Sequence, residues 1–433
     1  MEVQSAAQKR PGLAVVIPGR EEAAERIAAV LQRNGLLSAM HVPLNLTRPW
    51  QFARAMAGAK RQPAPWLAKW AYRIPAQTSA PLAEVVSASA LRLPELGRYR
   101  RRAVVSWRNS RTDAATARAL VSGRAAGALA VLGWPSRSLE VCAEMSLPGF
   151  LYVQMDIWGV NRSLVREACE SSARTSRGEP LLERDLVFEE NATLAVARAS
   201  HFVVQSERMA QRVRELSGVH RPTIVLGLGV DLPARLPYRD HEQRPLRVLT
   251  VARVGYAKGI HYVGDAIRAA GEHVQSAVVA GGGLESFPIL RRRAAGLQFL
   301  GHRSWSDLAR LYVEADVFVL ATFADAMART VMEAMASGLP VIITRESGYE
   351  GVVQDGVQGF FVPAGNSDAI AEKLAILATD GELRFRMGRA ARELANTYGW
   401  DTFEEAVRTR LVPVVAEALS VAPSLSPSPL PGL

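Results

Sequence analysis

Two carboxylates eight residues apart carry the most chemistry in this chain. Residues 325–338 read DAMARTVMEAMASG, with Asp325 in a loop of small residues and Glu333 one turn into the helix that the spacing predicts after it; Gly338 ends that helix and an apolar run follows. A loop feeding a helix N-terminus offers unpaired backbone N–H groups and the positive end of the helix dipole, which suits a phosphate. A carboxylate on the helix can accept two hydrogen bonds from neighbouring hydroxyls, which suits a ribose diol. An acid in the loop can do the same for a second sugar, and diphosphate, ribose and sugar together describe a nucleotide sugar. An ordinary strand–loop–helix with two solvated acids would carry the same residues.

Other residues gain meaning from their places after predicted strands. Residues 251–259, VARVGYAKG, put Arg253 and Lys258 five apart in a loop before a helix, where two cations can neutralise a departing diphosphate. Gly281, Gly282 and Gly283 end the next strand, and allow either close approach of a ligand or a plain tight turn. The loop of Gly301, His302 and Arg303 ends the following one, with His302 expected to be an ordinary loop histidine. In the first half, Gly19 follows the first strand, and Asp156 follows the strand predicted at 150–153, on the edge where α/β ligands sit. No histidine stands in a metal or triad arrangement, and no metal-binding acid pair occurs at a convincing place, so no metal is expected.

The elements that must position these groups form an α/β rhythm twice over. A first unit, strand 13–17 and helix 21–34, opens one domain; strands are also predicted at 104–107, 128–132, 150–153, 201–204 and 223–226, and helices at 112–121, 138–144, 182–199 and 207–216. A Pro-containing polar linker, 232–245, separates a first domain (1–236) from a second (245–399). There the predicted strands are 247–251, 276–280, 298–300, 317–320, 340–343 and 359–362, alternating with helices at 261–270, 305–315 and 368–379. A helix at 382–398 and a last one from Asp401 follow, and the Ser/Pro-rich tail from Val421 is expected to be disordered.

A chain of 433 residues can bury two or three cores. Two cysteines, Cys142 and Cys169, argue against a disulfide framework. The first apolar run is too short for a secretory signal and no window approaches a membrane span, so a cytosolic protein is expected, with peripheral contact to a membrane left open. Net charge is +10, and residues 48–111 hold thirteen Lys or Arg against two acids, interleaved with Trp50, Trp66, Trp70, Tyr72, Tyr99 and Trp107. That mixture suits an anionic lipid surface or an anionic saccharide, or is an Arg-rich solvated face; nucleic acid ranks last, for want of a recognisable motif.

Taken in order, VARVGYAKG, VVAGGG, FLGHRS, the stretch from LARLYVEAD to MASGLPVI, VVQDGVQGFFVPAGNSDAIAEKL and YGWDTF resemble the nucleotide-binding domain of glycosyltransferase family 4, in the two-domain GT-B fold. VIPGR, LYVQMDIW, HFVVQSERM and LGLGVD give a weaker likeness across the first half. The resemblance implies two Rossmann-like doubly wound α/β domains facing a central cleft, the first completed by a crossover helix at about 400–420.

It also implies roles. Arg253 and Lys258 would hold the donor diphosphate, Glu333 the ribose hydroxyls, and Ala326, Met327 and Ala328 would offer N–H groups to the sugar or phosphate. Asp325 stands where the family has a Glu against the transferred sugar. Arg303, Gly281 and Gly282 would line the nucleotide, Gly19 the opposite wall, and Asp156 would approach the sugar or acceptor hydroxyl. Ala326 and Ala328 replace glycines, and Met155 replaces a frequent His. The expected activity is retaining, metal-independent transfer from a nucleotide sugar, a UDP-sugar first, to a saccharide or lipid-linked saccharide. An epimerase or hydrolase on the same fold, or a binding protein without turnover, is the alternative.

Overall fold

Short apolar runs bounded by glycine and proline become strands buried on both faces, as in β1 (Leu13–Val16) and β4 (Gly127–Val131), where every residue is buried. The computed structural model describes residues 11–16, 22–42, 77–78, 98–132, 136–153, 194–218, 220–231, 242–284 and 288–423. Gly19, Asp156, most of the basic segment, residues 232–241 of the polar linker and the tail beyond 423 lie outside them.

The first sheet also holds β2 (Leu37–Val42), β3 (Gln77–Thr78), β5 (Gly149–Val153), β6 (His201–Val204) and β7 (Thr223–Val225). Its order is β3-β2-β1-β4-β5-β6-β7, and every pairing is parallel. Helices α1 (Glu22–Arg33), α2 (Arg98–Val121), α3 (Arg137–Glu144) and α4 (Glu207–Ser217) connect the strands. Ser206 caps α4, its hydroxyl accepting from Met209 N–H at 3.2 Å. The strand expected at 104–107 does not exist: those residues lie inside α2. Val104 and Val105 follow Arg100, Arg101, Arg102 and Ala103, good helix formers, and no Gly or Pro breaks the run as far as Val121.

The second sheet has the order β10-β9-β8-β11-β12-β13, again parallel throughout. Its strands are β8 (Leu246–Val251), β9 (Val274–Ala280), β10 (Gln298–Gly301), β11 (Val317–Leu320), β12 (Val341–Thr344) and β13 (Gly359–Val362). Helices α5 (Ile260–Ala270), α6 (Pro288–Arg293), α7 (Trp305–Glu314), α8 (Arg329–Ala336), α9 (Ser367–Thr379) and α10 (Gly381–Ala395) cover its faces. All six strands fall where the sequence predicts them, within a few residues; α6 was not foreseen.

The chain then returns to the first sheet. From α11 (Trp400–Ala406) through α12 (Val412–Val421), Trp400, Phe403, Val407, Leu411 and Val415 are buried with Leu13, Ile27, Leu31 and Met40 in one core. Trp400 is the pin. Arg26 lies over its ring at 4.3 Å, its Nε1 donates to Asp231 at 3.0 Å, and a Cβ on Gly229 would stand 2.1 Å from it. Arg26 and Arg33 both reach Glu404 at 2.7 Å.

The start of the second sheet is held by Asp316, which takes hydrogen bonds from Arg244, from the Arg247 side chain and from Arg247 N–H. Burial alone would raise its pKa, but the Arg247 and Arg244 bonds outweigh it and hold the carboxyl below its ordinary value. A depressed carboxyl contributes stability above its unfolded pKa of about 3.9, lost as the pH falls through the folded value. Asp316→Ala is therefore expected to cost the second domain about 2–3 kcal/mol at pH 7, below the full cost of a broken buried pair because both arginines reach solvent. The gap from the parent should narrow only below about pH 4, as read by urea unfolding.

Candidate functional site

The order of the second sheet fixes where a ligand goes. The chain runs outward from β8 to β10, then crosses back to β11, so β8 and β11 are neighbours whose connections leave in opposite directions. Such a switch point opens a crevice outside the strand ends. The loop after β8 carries Arg253 and Lys258; the loop after β11 carries Asp325 and leads into α8 with Glu333.

These two loops are tied together. Gly259, at φ 62°, begins α5 so close to β11 that a Cβ would meet Ala321 O at 1.9 Å. Phe323 N–H and the Thr322 hydroxyl both donate to Ala257 O, at 2.8 and 3.1 Å. Lys258 Nζ donates to Ala324 O at 3.3 Å and pairs with Asp325 Oδ2 at 2.5 Å. Arg253 is exposed and makes no ion pair among the described residues.

The β11 loop is also anchored from the other side. Thr344 donates to Thr322 O at 2.6 Å, Asp325 N–H to Glu346 O at 2.9 Å, Ala328 N–H to Ser347 O at 3.1 Å, and Tyr349 OH to Ala328 O at 2.7 Å. Ala328 is thus corrected as an N–H donor to a ligand, since its N–H is already bonded. The N–H groups of Ala326 and Met327 donate to no other group among the described residues, and α8 begins with no side-chain cap. Ser146 is the sole non-glycine at positive φ among those residues, so Ala326 sits in a loop that does not use glycine's freedom there.

Glu333 is half-buried on α8 and its Oε2 accepts from Tyr312 OH at 2.9 Å; its Oε1 accepts nothing among the described residues. Burial raises its pKa, and Asp231 adds to the rise; the Tyr312 hydrogen bond and Arg329 work against it. Gly281 faces backbone: a Cβ there would lie 1.8 Å from Ala252 O, so the residue is required by the β8–β9 contact itself. Gly282 has open space above it. Arg303 is exposed, as is His302, and reaches only His302 O at 3.4 Å. Gly19 and Asp156 lie outside the described residues. Sequence reasoning missed Tyr312, Tyr349 and Asp231, whose partners are remote along the chain.

The first domain meets this loop directly. Ser206 Oγ donates to Ala326 O at 3.2 Å, the Ala326 side chain joins a buried cluster with Val204, Met209 and Ala210, and Arg208 pairs with Glu350 at 3.0 Å.

Residues 239–394 match the family model described as glycosyl transferases group 1. They are a group 1 glycosyltransferase domain. The glycosyltransferase domain is 38% identical over 104 residues to a D-inositol 3-phosphate glycosyltransferase of Corynebacterium glutamicum, covering 24% of this chain and 25% of that protein. It is 35% identical over 105 residues to the sulfoquinovosyl transferase SQD2 of Arabidopsis thaliana, covering 24% of this chain and 21% of that one. A longer match, 26% identical over 295 residues, joins 62% of this chain to 68% of the Corynebacterium efficiens D-inositol 3-phosphate glycosyltransferase.

Among solved structures, sucrose-phosphate synthase from Thermosynechococcus elongatus superposes with a TM-score of 0.62 over 96% of this chain and all of that one, at 15% identity. Anabaena HepE in complex with UDP-glucose gives 0.58 over 94% and 99%, at 17% identity. The fold is the two-domain α/β GT-B architecture.

The glycines separate by environment. Gly281→Ala is expected to destabilise the glycosyltransferase domain by about 2–3 kcal/mol through backbone strain and collision with Ala252. Gly282→Ala should stay within about 0.5 kcal/mol of the parent in the same denaturant titration.

Proposed function

We propose that this chain is a retaining glycosyltransferase that moves a sugar from a nucleoside-diphosphate sugar, a UDP-sugar, to a saccharide or lipid-linked saccharide. One observation carries the reading: the β8–β11 crevice gathers an uncapped helix N-terminus, two cations and a carboxylate with a free oxygen. In this arrangement the first turn of α8, Arg253 and Lys258 take the diphosphate. Glu333 accepts from the ribose hydroxyls, and Asp325 from hydroxyls of the transferred sugar. The N–H groups of Ala326 and Met327 remain for the sugar or the outer phosphate. Gly19 and Asp156, which the family resemblance would set across the cleft, lie outside the described residues. The UDP-glucose complex of the Anabaena neighbour supports a UDP-sugar as the first donor to try.

In the reaction, the bond between the anomeric carbon and the diphosphate oxygen breaks as the acceptor oxygen forms its own bond on the same face. The acceptor proton passes to the departing phosphate oxygen. The positive charge that develops on the sugar is matched by negative charge on the diphosphate, which Arg253, Lys258 and the helix dipole stabilise. On this account no dedicated base and no metal are needed. Lys258 is held by Asp325 before the donor arrives and exchanges that partner for phosphate.

The acceptor belongs to the first domain. Helix α2 ends five residues before β4 begins and has 24 residues, roughly 36 Å. Its first turn, Arg98 to Arg102, therefore starts on the cleft-facing edge of the first sheet. The Arg-rich sequence there suits an anionic or lipid-linked acceptor at a membrane surface. Several curated relatives are named for inositol 3-phosphate, an anionic acceptor in their case.

A thermal-shift panel of nucleotides and sugar nucleotides, then mass spectrometry of candidate acceptors with the best donor, tests the reading. Glu333→Ala is expected to weaken nucleotide binding, and Asp325→Ala to lower turnover with binding kept. Arg253→Ala and Lys258→Ala should each raise the barrier by about 2–4 kcal/mol. Free sugar released at the full rate without acceptor would replace transfer by hydrolysis. Parent rates in both acid variants would remove the site assignment.

A further inference from the structure

We infer that Tyr312 is a positioning residue for the nucleotide: its hydroxyl holds the Glu333 carboxylate in the plane and ionisation state that accept a ribose diol, and so sets the preference for ribose over deoxyribose. The inference rests on the reading of Glu333 as the ribose partner. Tyr312 lies on α7, 21 residues before Glu333, and is 1% exposed; its ring packs against Phe318 of β11 with centroids 6.3 Å apart. The phenol is fixed by this packing, and burial together with the Glu333 charge holds its pKa well above the ordinary value. It therefore stays protonated; Thr330 O lies 3.4 Å from the hydroxyl, and the closer Glu333 Oε2, at 2.9 Å, takes the stronger bond.

That single bond has two consequences. It settles the rotation of the carboxylate, leaving Oε1 and the second lone pair of Oε2 for two more donors, the number a cis-diol presents. It also opposes the burial that favours the neutral acid. The groups facing Glu333 are Tyr312 from α7, Tyr349 from the turn after β12, Asp231 from the segment after β7, and Arg329 from its own helix. Asp231 and burial push the Glu333 pKa up; Tyr312 and Arg329 push it down. Without the phenol, Arg329 alone would oppose burial and Asp231. The carboxyl would then take up a proton at higher pH and lose an acceptor position.

The test compares UDP with 2′-deoxy-UDP by isothermal titration calorimetry at pH 6, 7 and 8. The parent is expected to prefer UDP. Tyr312→Phe should lose about tenfold in UDP affinity, with 2′-deoxy-UDP changed far less. The loss should be deepest at pH 6 and recover toward pH 8. In a Glu333→Ala background, which removes the acceptor altogether, adding Tyr312→Phe should change UDP affinity no further.

Thermal unfolding checks that Tyr312→Phe is folded. Should it not be, 3-fluorotyrosine at 312 keeps the shape with a stronger donor, and the acid-side fall in UDP affinity should then move to lower pH. Equal losses for both nucleotides, or a tenfold loss that persists without the carboxylate, would overturn the inference. A parent that binds no uridine nucleotide would instead overturn the reading of the site beneath it.

Discussion

The loop between β11 and α8 is held from both sides, and the site depends on that double restraint. The β8 loop grips it through Ala257 O and Lys258, while the β12 turn grips it through Glu346 O, Ser347 O and Tyr349 OH. Gly348, at φ 86°, lets the turn come so near that a Cβ would stand 2.0 Å from Ala326 O. A loop whose N–H groups are bonded at Asp325 and Ala328 presents those of Ala326 and Met327, which have no acceptor among the described residues, as a fixed pair. Preorganised donors cost no reorganisation when charge develops, which is the main way such a site lowers a barrier.

The same loop is where the two domains touch. Ser206 caps α4 and also bonds Ala326 O, so the end of β6 reads the position of the loop. Trp400 links α1, the segment after β7 and α11, and Arg329, the first residue of α8, has its guanidinium 5.8 Å from that ring. Rotation of one domain against the other therefore bears on the N-terminal end of the element that carries Glu333. Closure around a ligand is a common way for such enzymes to exclude water before reaction.

Legibility differs sharply between the halves. In the second, strands alternate with amphipathic helices and each loop carries Gly, Arg, Lys or an acid, so both the sheet and the crevice follow from local pattern. In the first, a 24-residue helix absorbs what reads as a strand, because Arg and Ala precede Val104 and Val105 and no Gly or Pro follows to end the run. The two-residue β3 offers too few positions for any periodicity to show. Gly281 illustrates another limit: its type was noticed, but only the fold shows that it faces Ala252 O and not a ligand. Tyr312 carries no local sign of its role, since its partner is 21 residues away on another helix.

The decisive observation is where UDP settles in a crystal soaked with it. The account predicts density in the β8–β11 crevice, with ribose oxygens on Glu333 and the phosphates at the start of α8 beside Arg253 and Lys258. Ordered nucleotide bound elsewhere, with that crevice left empty, would contradict it.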